Sequence, residues 1–505
     1  MGSTHRNINS RGMIILGKKG KSKRFKVTNY GVYDEVTGTT VMVEVDELKI
    51  LFDFGMYQSN LLDAKQIIEA NYNAKRKIPL GEIDYVIVTH AHCDHAGNLP
   101  MLFREDSPFR GKVLCTEPTA PLISMVCCDS AFVQQNQIKA YLKKHPKQEL
   151  YPNYTIHDAE QVILHLQGYA YNQKVWLNDR VSIEFIPNGH LFGSASVYLE
   201  FMVDEYETAT LLFTGDYNYD PKIPRSFTKA WDTSRVFDVD CLITEATYGN
   251  KLHEWRDPEE ELEQYVLEQV IEKRRVLLLP AFAVSRSTQL LSMIKHIYDK
   301  NDILVKRKVP VYFVGRMTQQ SHRTLGNGYY KNYYVDECWK KDYDVFNWGS
   351  VQKIEKFQDV EEKLIDSQPK IIIVSGGMGC GHSLFLLQQL CDKPWCSILG
   401  SGYAGIGTPM RTINEAAEHG RRNVSLQGKT RMLNATVLPP LEMSGHADYK
   451  QMCRLIQRGL NPKKLKNIII IHGDEEAKEY LKNEILKRRN DVNIEIPKPG
   501  NVIQC

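Results

Sequence analysis

The stretch that decides the fold reads Val88-Thr89-His90-Ala91-His92-Cys93-Asp94-His95-Ala96-Gly97-Asn98. Three histidines and one aspartate fall within six consecutive positions of this stretch. Residues 83–88 form a short apolar run, rich in β-branched side chains, that predicts a buried strand. Residues 96–104 predict a helix. The cluster therefore lies on a strand-to-helix loop at the end of a sheet, where α/β proteins place their chemistry.

The spacing of these donors indicates a metal site. In extended backbone the side chains at positions i and i+2 point the same way, so His90 and His92 can reach one ion. Asp94 and His95 lie past the turn and face a different point. Four donors that cannot all converge on one ion indicate two ions, about 3.5–4 Å apart in two-metal hydrolases. Without a cation these groups would repel or desolvate one another, which disfavours a purely structural role.

The pattern of an apolar strand followed by a ligand-type residue recurs along the chain. The residues placed in this way are Asp53, His190, Asp216, Glu245 and His472. This recurrence indicates a sheet edge at which several loops meet. Asp53 considered alone is equally well explained as a turn residue. With the histidine cluster close by in sequence, we favour Asp53 as a group that orients the metal ligands.

The middle of the chain has a different character. From residue 257 onward, short apolar strands at 276–282, 309–314 and 371–375 alternate with helical segments. This alternation indicates a second α/β unit with a parallel sheet. After residue 441 the pattern of strand and ligand-type residue returns. The simplest organisation is therefore a ligand-rich domain at both ends of the chain, with the second unit inserted into it.

Composition limits the classes of function. A chain of 505 residues predicts two or three domains, and 42% hydrophobic with 25% charged residues is typical of a soluble globular protein. No long apolar run predicts a membrane span, and the start lacks a secretory signal. The 11 scattered cysteines favour reduced thiols in the cytoplasm. A net charge of +3 excludes a protein that coats nucleic acid, so a polyanion would bind in a local groove.

The full set of motifs resembles the metallo-β-lactamase fold and, within it, the β-CASP group of nucleic-acid hydrolases. The resemblance covers about residues 30–500. The matching positions are the turn at 35–38, Asp53 at the first motif, His90, His92, Asp94 and His95 in the HxHxDH signature, His190 and Asp216 at the next two motifs, Glu245, His446 and His472 at motifs A, B and C, and the segment 280–286. In this family a histidine at motif C is typical of members that act on RNA, so His472 implies RNA.

The resemblance implies an α/β fold in which a metallo-β-lactamase αββα sandwich carries an inserted β-CASP α/β domain. We expect a basic N-terminal arm at 1–28, the first part of the metallo-β-lactamase domain at 29–248, the β-CASP domain at 249–440 and the C-terminal part of the metallo-β-lactamase domain at 441–505. The segments 314–317 and 379–382 depart from the family's pattern, and both lie in the inserted domain. These departures bear on substrate preference and not on the metal site.

The resemblance also implies two zinc ions per chain. The ligands would be His90, His92 and His190 for one ion, Asp94, His95 and His472 for the other, and Asp216 for both. Four residues would carry the chemistry, namely Asp94, His446, Glu245 and Asp53. His446 would protonate the leaving oxygen, and Glu245 would orient it and keep it protonated, because a carboxylate raises the pKa of a neighbouring histidine.

The expected function is a zinc-dependent ribonuclease that cleaves single-stranded RNA internally and leaves a 3′-hydroxyl and a 5′-phosphate. Arg286, Arg316 and Ser444 are the predicted substrate contacts. Ribonuclease J-type exonucleases of this family carry an extra C-terminal domain, whereas this chain ends about 30 residues after His472. The resemblance therefore favours an endonuclease over a 5′→3′ exonuclease. A non-catalytic RNA-processing scaffold and a small-molecule hydrolase of the same fold are competing hypotheses. We expect a cytoplasmic protein with no membrane partner, and the sequence leaves a homodimer open.

Overall fold

A computed structural model describes residues 24–32, 34–59, 61–219, 227–254, 256–335, 343–402 and 404–505. Residues 1–23 of the predicted basic arm lie outside this part of the chain. Within it the strands form two seven-stranded sheets, one six-stranded sheet and a two-stranded ribbon. None of the helices described is both long enough and apolar enough to cross a membrane.

The first seven-stranded sheet combines the start of the described chain with its last strand. From edge to edge it runs Val502–Gln504, Lys26–Asn29, Val41–Val45, Leu48–Phe52, Tyr85–Ile87, Lys112–Thr116 and Leu166–Tyr169. Strands Leu48–Phe52 and Tyr85–Ile87 are adjacent and parallel, so their carboxyl ends share one edge. Asp53 and the loop at 88–98 leave the sheet at this edge.

The second seven-stranded sheet brings three chain segments together. From edge to edge it runs Asn493–Glu495, Asn467–Ile470, Cys241–Thr244, Thr208–Phe213, Ala195–Met202, Val181–Pro187 and Lys174–Trp176. Strands Thr208–Phe213, Cys241–Thr244 and Asn467–Ile470 are parallel neighbours. Asp216, Glu245 and His472 follow these three strands, so they emerge at the same edge of the sheet.

The two seven-stranded sheets pack face to face. Val43, Phe185 and Leu211 are fully buried between them, and the rings of Phe52 and Phe213 stack at a centroid distance of 4.8 Å. Helices Ala64–Lys75, Thr119–Lys144 and Ile156–His165 cover the outer face of the first sheet. Helices Tyr449–Arg454 and Glu475–Leu486 cover the outer face of the second, and the former continues as a π-helical segment, Leu455–Gly459. The arrangement is an αββα sandwich.

The third sheet forms a separate α/β unit. From edge to edge its strands are Val351–Ile354, Val311–Val314, Lys370–Ser375, Val276–Ala281, Cys396–Leu399 and Thr436–Leu438. All neighbouring pairs are parallel, as the alternation of strands and helices predicts. Its carboxyl edge therefore gathers the loop after Val276–Ala281 and the loop that leads to His446.

Helices cover both faces of this parallel sheet. They are Pro258–Tyr265 with its π-helical continuation Val266–Glu272, Arg286–Lys300, Asp302–Lys306, Arg316–Leu325, Phe357–Leu364, His382–Leu390 and Pro409–Glu418. The ribbon pairs Asn423–Leu426 with Lys429–Met432. Short 3₁₀ helices lie at Leu80–Glu82, Gly328–Tyr333 and Tyr343–Asn347.

The two units share one hydrophobic core. Buried residues on the outer face of the first sheet continue without interruption into one face of the parallel sheet. At the junction the ring of Phe192 lies 4.8 Å from that of Tyr334, which in turn lies 5.9 Å from that of Phe227. This contact fixes the inserted unit directly above the loops that carry the metal-type residues.

The helix predicted at 96–104 is wrong in detail. The structure has a four-residue helix, Cys93–Ala96, and then a 3₁₀ helix, Leu99–Phe103. Asn98 separates them because its backbone N–H donates to the Phe54 carbonyl and its side-chain amide donates to the Gly55 carbonyl. Pro100 follows at the start of the 3₁₀ turn and has no N–H to give to a continuous α-helix.

Burial between the two sheets predicts a large effect of truncation. We expect Phe185→Ala to lower the free energy of unfolding by about 3–5 kcal/mol, since a large buried ring leaves a cavity. Urea unfolding in excess chelator measures this without a contribution from bound metal. Tyr206→Ala is the control, because Tyr206 is 95% exposed and surface changes alter stability by about 0.5 kcal/mol or less. Equal effects of the two substitutions would contradict the described packing.

Candidate metal centre

Loops from the two stacked sheets meet at one point. The structure brings together all seven residues that the sequence predicts as metal ligands, which are His90, His92, Asp94, His95, His190, Asp216 and His472. The first sheet supplies the loop after Tyr85–Ile87, and the second supplies three separate loops. Parallel strands make this convergence possible because their carboxyl ends lie at the same edge.

The ligand-type atoms form two overlapping groups. In each group all the atoms lie within 4.8 Å of one another. The first group is His90, His92, His190 and Asp216, and the second is Asp94, His95, Asp216 and His472. Asp216 belongs to both, so its carboxylate lies between the two sets. These are the sets that the resemblance implies, and their role as ligands stays a prediction.

Several of these atoms are buried without a hydrogen-bond partner. Nε2 of His90 and of His472 and Oδ1 of Asp216 are in this condition, and Nε2 of His95 has only Asp216 Oδ2 beside it, at 3.2 Å. A buried polar atom left unpaired costs about 1–3 kcal/mol, so a cluster of three would be strongly destabilising by itself. A divalent cation coordinated by these atoms removes that cost. The residues present therefore fit a metal centre.

Hydrogen bonds behind the imidazoles fix their orientation. The pairs are His90 Nδ1 with Thr89 Oγ1 at 3.1 Å, His95 Nδ1 with Asp53 Oδ2 at 2.7 Å, His190 Nδ1 with the Gly445 carbonyl at 2.9 Å and His472 Nδ1 with Thr39 Oγ1 at 2.6 Å. When Nδ1 carries the proton in each ring, the lone pair of Nε2 faces the cluster. Metal-binding histidines are generally oriented by such partners.

Asp53 lies behind the ligands, where the sequence predicts it. Its carboxylate accepts hydrogen bonds from the Thr89 backbone N–H at 2.8 Å and from the Thr89 hydroxyl at 2.9 Å, in addition to the His95 ring. The side chain is completely buried. Its backbone has a φ of +58°, a left-handed conformation that turns the chain away from the strand end. Asp53 therefore holds the ring of His95 and the loop that carries His90 in one network.

Thr39 and Thr89 also belong to this network, and neither was predicted from the sequence. Thr89 precedes His90 directly, and Thr39 follows the predicted turn at 35–38. Proximity to those motifs was the only signal, because threonine is common in strands and turns. Phe282 was also missed as a wall of the site, and its ring lies 6.3 Å from that of His92.

The pKa shifts favour neutral imidazoles at His90, His92 and His190 and an anionic carboxylate at Asp216. Burial lowers the pKa of His92 to about 4 and holds the pKa of His90 and of His190 well below the usual range. Although burial opposes it, the charges of His472 and His95 hold the pKa of Asp216 well below its usual value. Against the effect of burial, Asp216 and Asp53 raise the pKa of His95 well above its usual range. The carboxylates thus attract positive charge, which divalent cations would supply.

Glu245 and His446 form a third group with Asp216, beside the two groups that the resemblance implies as metal ligands. His446 Nδ1 is 2.9 Å and 3.1 Å from the two carboxylate oxygens of Glu245, and the ring centroid is 4.7 Å from that of His190. Burial lowers the pKa of His446, but the charge and hydrogen bond of Glu245 raise it to about 9. Glu245 is itself fixed by the backbone N–H of Tyr217 at 2.9 Å. The pair can present an imidazolium to a molecule bound at the cluster.

The three predicted substrate contacts lie in different surroundings. Ser444 belongs to the His446 loop, and its hydroxyl oxygen accepts the His446 backbone N–H at 3.1 Å. The guanidinium of Arg286 donates to the Met443 carbonyl and to Gln289 Oε1. Arg316 is exposed at the start of its helix. Contact of these residues with a substrate stays a prediction.

Three family models match the chain in consecutive order. The Metallo-beta-lactamase superfamily model matches residues 33–107, the Beta-Casp domain model matches 288–413, and the model described as "Zn-dependent metallo-hydrolase RNA specificity domain" matches 433–497. The chain belongs to the β-CASP family of the metallo-β-lactamase superfamily. The predicted fold, a sandwich with an inserted α/β domain, is confirmed. Membership of this superfamily of hydrolases implies a divalent metal ion, which agrees with the two donor groups.

Two curated relatives extend along most of this β-CASP chain. It is 26% identical over 482 residues to the transcription termination factor FttA of Thermococcus kodakarensis, a match that covers 93% of this chain and 69% of that protein. It is 27% identical over 452 residues to the RNase J-like protein of Methanocaldococcus jannaschii, with 88% and 91% covered.

A solved structure shows the same fold. It is described as a protein of unknown function from Enterococcus faecalis, and it aligns with a TM-score of 0.55 at 15% identity. The alignment covers 95% of this chain and 100% of that one. At this identity the likeness concerns the fold alone.

The hydrogen bond from His95 to Asp53 predicts an effect on metal affinity. We expect Asp53→Asn to weaken metal binding about 10- to 100-fold, because the amide keeps the shape but removes the charge behind His95. Competition with a chromophoric chelator measures the affinity. Asp106→Asn is the matched control, since Asp106 pairs with Arg104 on the surface and should leave affinity unchanged. Wild-type affinity in Asp53→Asn would exclude a role of this carboxylate in tuning the site.

Proposed function

We propose that this protein is a zinc-dependent ribonuclease that hydrolyses single-stranded RNA internally and leaves a 3′-hydroxyl and a 5′-phosphate. The observation that carries the proposal is the position of His446. Its ring, paired with Glu245, lies beside two donor groups that share Asp216. A proton donor next to a two-cation centre suits phosphodiester hydrolysis, because the cations offset charge on the phosphoryl group and the donor protonates the leaving oxygen.

The donor chemistry supports zinc. Imidazole and carboxylate groups without a thiolate suit Zn²⁺, and the proposed number is two ions per chain. The residues that would hold them are His90, His92 and His190 for one, Asp94, His95 and His472 for the other, and Asp216 for both. When bound, the two ions supply positive charge for the phosphoryl oxygens and lower the pKa of water.

The residues of the chain would handle the proton on the leaving side. As the bond to the 3′-oxygen breaks, negative charge develops there, and His446 donates its Nε2 proton to that oxygen. Glu245 occupies the opposite nitrogen of the ring, keeps it charged before the reaction and prevents it from turning away. Proton transfer of this kind contributes about 10²- to 10⁴-fold in rate. Asp94 and Asp53 would act through the metal centre, as a ligand and as the support of His95.

Three observations support RNA as the substrate. The chain is similar to a protein named RNase J-like. The matched segment 433–497, whose model is described by RNA specificity, contains both His446 and His472. The loop at the carboxyl edge of the parallel sheet places the ring of Phe282 6.3 Å from that of His92, and an aromatic ring beside a metal centre suits a single strand with exposed bases better than a duplex. Arg286, Arg316 and Ser444 are the proposed contacts with that strand.

The location and assembly of the protein are part of the same proposal. We place it in the cytoplasm, because an odd number of scattered cysteines suits a reducing compartment. For the assembly we propose two alternatives, a monomer and a homodimer. Light scattering at micromolar protein concentration distinguishes them by mass.

A cleavage assay tests the activity. We expect both 5′-phosphorylated and 5′-hydroxyl single-stranded RNAs, end-labelled, to give internal fragments that disappear on chelation and return with Zn²⁺. The matching DNAs should resist cleavage. Mononucleotides released only from the 5′-phosphorylated RNA would instead assign a 5′→3′ exonuclease. RNA binding without cleavage, with two zinc ions bound, would assign a non-catalytic scaffold.

A substitution tests the proton donor. We expect His446→Ala to reduce kcat on RNA by about 10²- to 10⁴-fold while the zinc content stays at the wild-type level, because His446 is placed as a donor and not as a ligand. His419→Ala, at an exposed helix end of the inserted domain, is the control and should keep full activity. Unchanged turnover in His446→Ala would remove His446 from the mechanism.

A further inference from the structure

The segment 443–446 carries the proposed proton donor, yet it lies outside regular secondary structure. Its four consecutive carbonyl groups are instead held by side chains from four different parts of the chain. The donors are Arg286 to the Met443 carbonyl, Asn218 to Ser444 at 3.3 Å, His190 to Gly445 at 2.9 Å and His253 to His446 at 2.9 Å. The main-chain position of this loop therefore depends on these side chains rather than on a sheet or a helix.

Among these four donors, His253 is the one that binds the carbonyl of His446, whose imidazole is the proposed proton donor. Its Nε2 donates to the His446 carbonyl, and its Nδ1 lies 3.1 Å from a carboxylate oxygen of Glu442. A carbonyl and a carboxylate can only accept, so both ring nitrogens carry hydrogen and the ring is an imidazolium. Burial lowers the pKa of His253, but Glu442 and the His446 carbonyl raise it above the usual value.

The contacts of His253 bridge the two ends of the loop, and we call this bridge the clamp. Glu442 stands just before the segment and His446 ends it, and the one imidazolium bridges both. The backbone N–H of His253 also donates to Asp448 Oδ2 at 3.2 Å, two residues further on. The ring packs 4.9 Å from that of Tyr248, which lies 6.1 Å from the ring of His446. The loop is thus held on both sides of His446 by one residue.

We propose that His253, together with Glu442, is a positioning residue that aims His446 at the leaving oxygen. Glu245 holds the imidazole of His446 by its ring nitrogen, and His253 holds the same residue by its main chain. Two fixed points define the direction in which Nε2 of His446 points. Displacement of a reacting group by about 1 Å can cost about 100-fold in rate. This inference rests on the proposed function, because it assigns His446 the role of proton donor.

Two substrates with different leaving groups distinguish a positioning role of His253 from a general structural role. A ribose 3′-oxygen leaves poorly without a proton, whereas p-nitrophenolate leaves unprotonated. We expect His253→Ala to lower kcat on RNA about 10- to 100-fold, with KM within about twofold and unchanged zinc content. The rate on bis(p-nitrophenyl) phosphate should stay within about threefold of wild type. Glu442→Gln, which keeps a hydrogen-bond acceptor but removes the charge, should show the same selectivity with a smaller loss.

A double-mutant cycle shows whether His253 acts through His446. In a His446→Ala background, adding His253→Ala should change the rate on RNA by less than about twofold, because the positioned group is already gone. His296→Ala is the matched control. His296 forms a similar half-exposed pair with Glu259 in the inserted domain, and its removal should change neither rate.

Each remaining outcome overturns a defined part of the scheme. An equal loss on both substrates, a fall in zinc content or additive effects in the cycle would show that His253 merely supports the fold, and would reject its positioning role. Selectivity in His253→Ala that Glu442→Gln does not share would reject the clamp between the two residues. A zinc-loaded wild-type protein that hydrolyses neither substrate would overturn the proposed function, and the role of His253 with it.

Discussion

The site depends on one electrostatic constraint, the burial of Asp216 beside Nε2 atoms of His90 and His472 that have no hydrogen-bond partner among the described residues. Three ring nitrogens and one carboxylate oxygen are removed from water at this point. Neutral imidazoles and an anionic carboxylate cannot satisfy one another fully, so the cluster is stable only with added positive charge. A proton on His95 can supply part of that charge, because Asp216 and Asp53 raise the pKa of this ring. The same field would hold divalent cations.

The fold places these groups together by strand direction. In each seven-stranded sheet the strands that precede the donors run parallel, so every donor loop leaves at the carboxyl edge. Stacking of Phe52 on Phe213 holds the two edges in register near the metal-type residues. A second layer of hydrogen bonds, from Thr39, Thr89 and Asp53, then orients the imidazole rings. The hydrophobic core thus fixes the distance between the two sheet edges, and the polar layer of hydrogen bonds fixes the orientation of the imidazole rings.

The inserted unit completes the site instead of only covering it. Arg286 from this unit donates to the Met443 carbonyl, and Ser285 Oγ accepts the Phe192 backbone N–H at 3.1 Å. Since Met443 belongs to the loop that carries His446, the position of the proposed proton donor depends on both units. The continuous core between them brings the two units into direct hydrophobic contact around this loop. Departures from the family pattern at 314–317 and 379–382 follow strands of the parallel sheet on its carboxyl side.

The sequence by itself determined the loop at 88–98 that carries the predicted metal ligands, the parallel character of the inserted sheet and the family. The first two follow from local patterns, namely donors at a spacing of two after an apolar strand and strands that alternate with helices, and the family follows from the resemblance of the complete set of motifs. Local patterns could not determine that Thr39 pairs with His472, 433 positions away, or that His253 holds the carbonyl of His446, 193 positions away. They also failed at 96–104, where Asn98 forms hydrogen bonds to the strand end at 54–55 and interrupts the helix. Hydrogen bonds between distant segments leave no periodicity in the sequence, so only the tertiary structure decided which side chains orient the site.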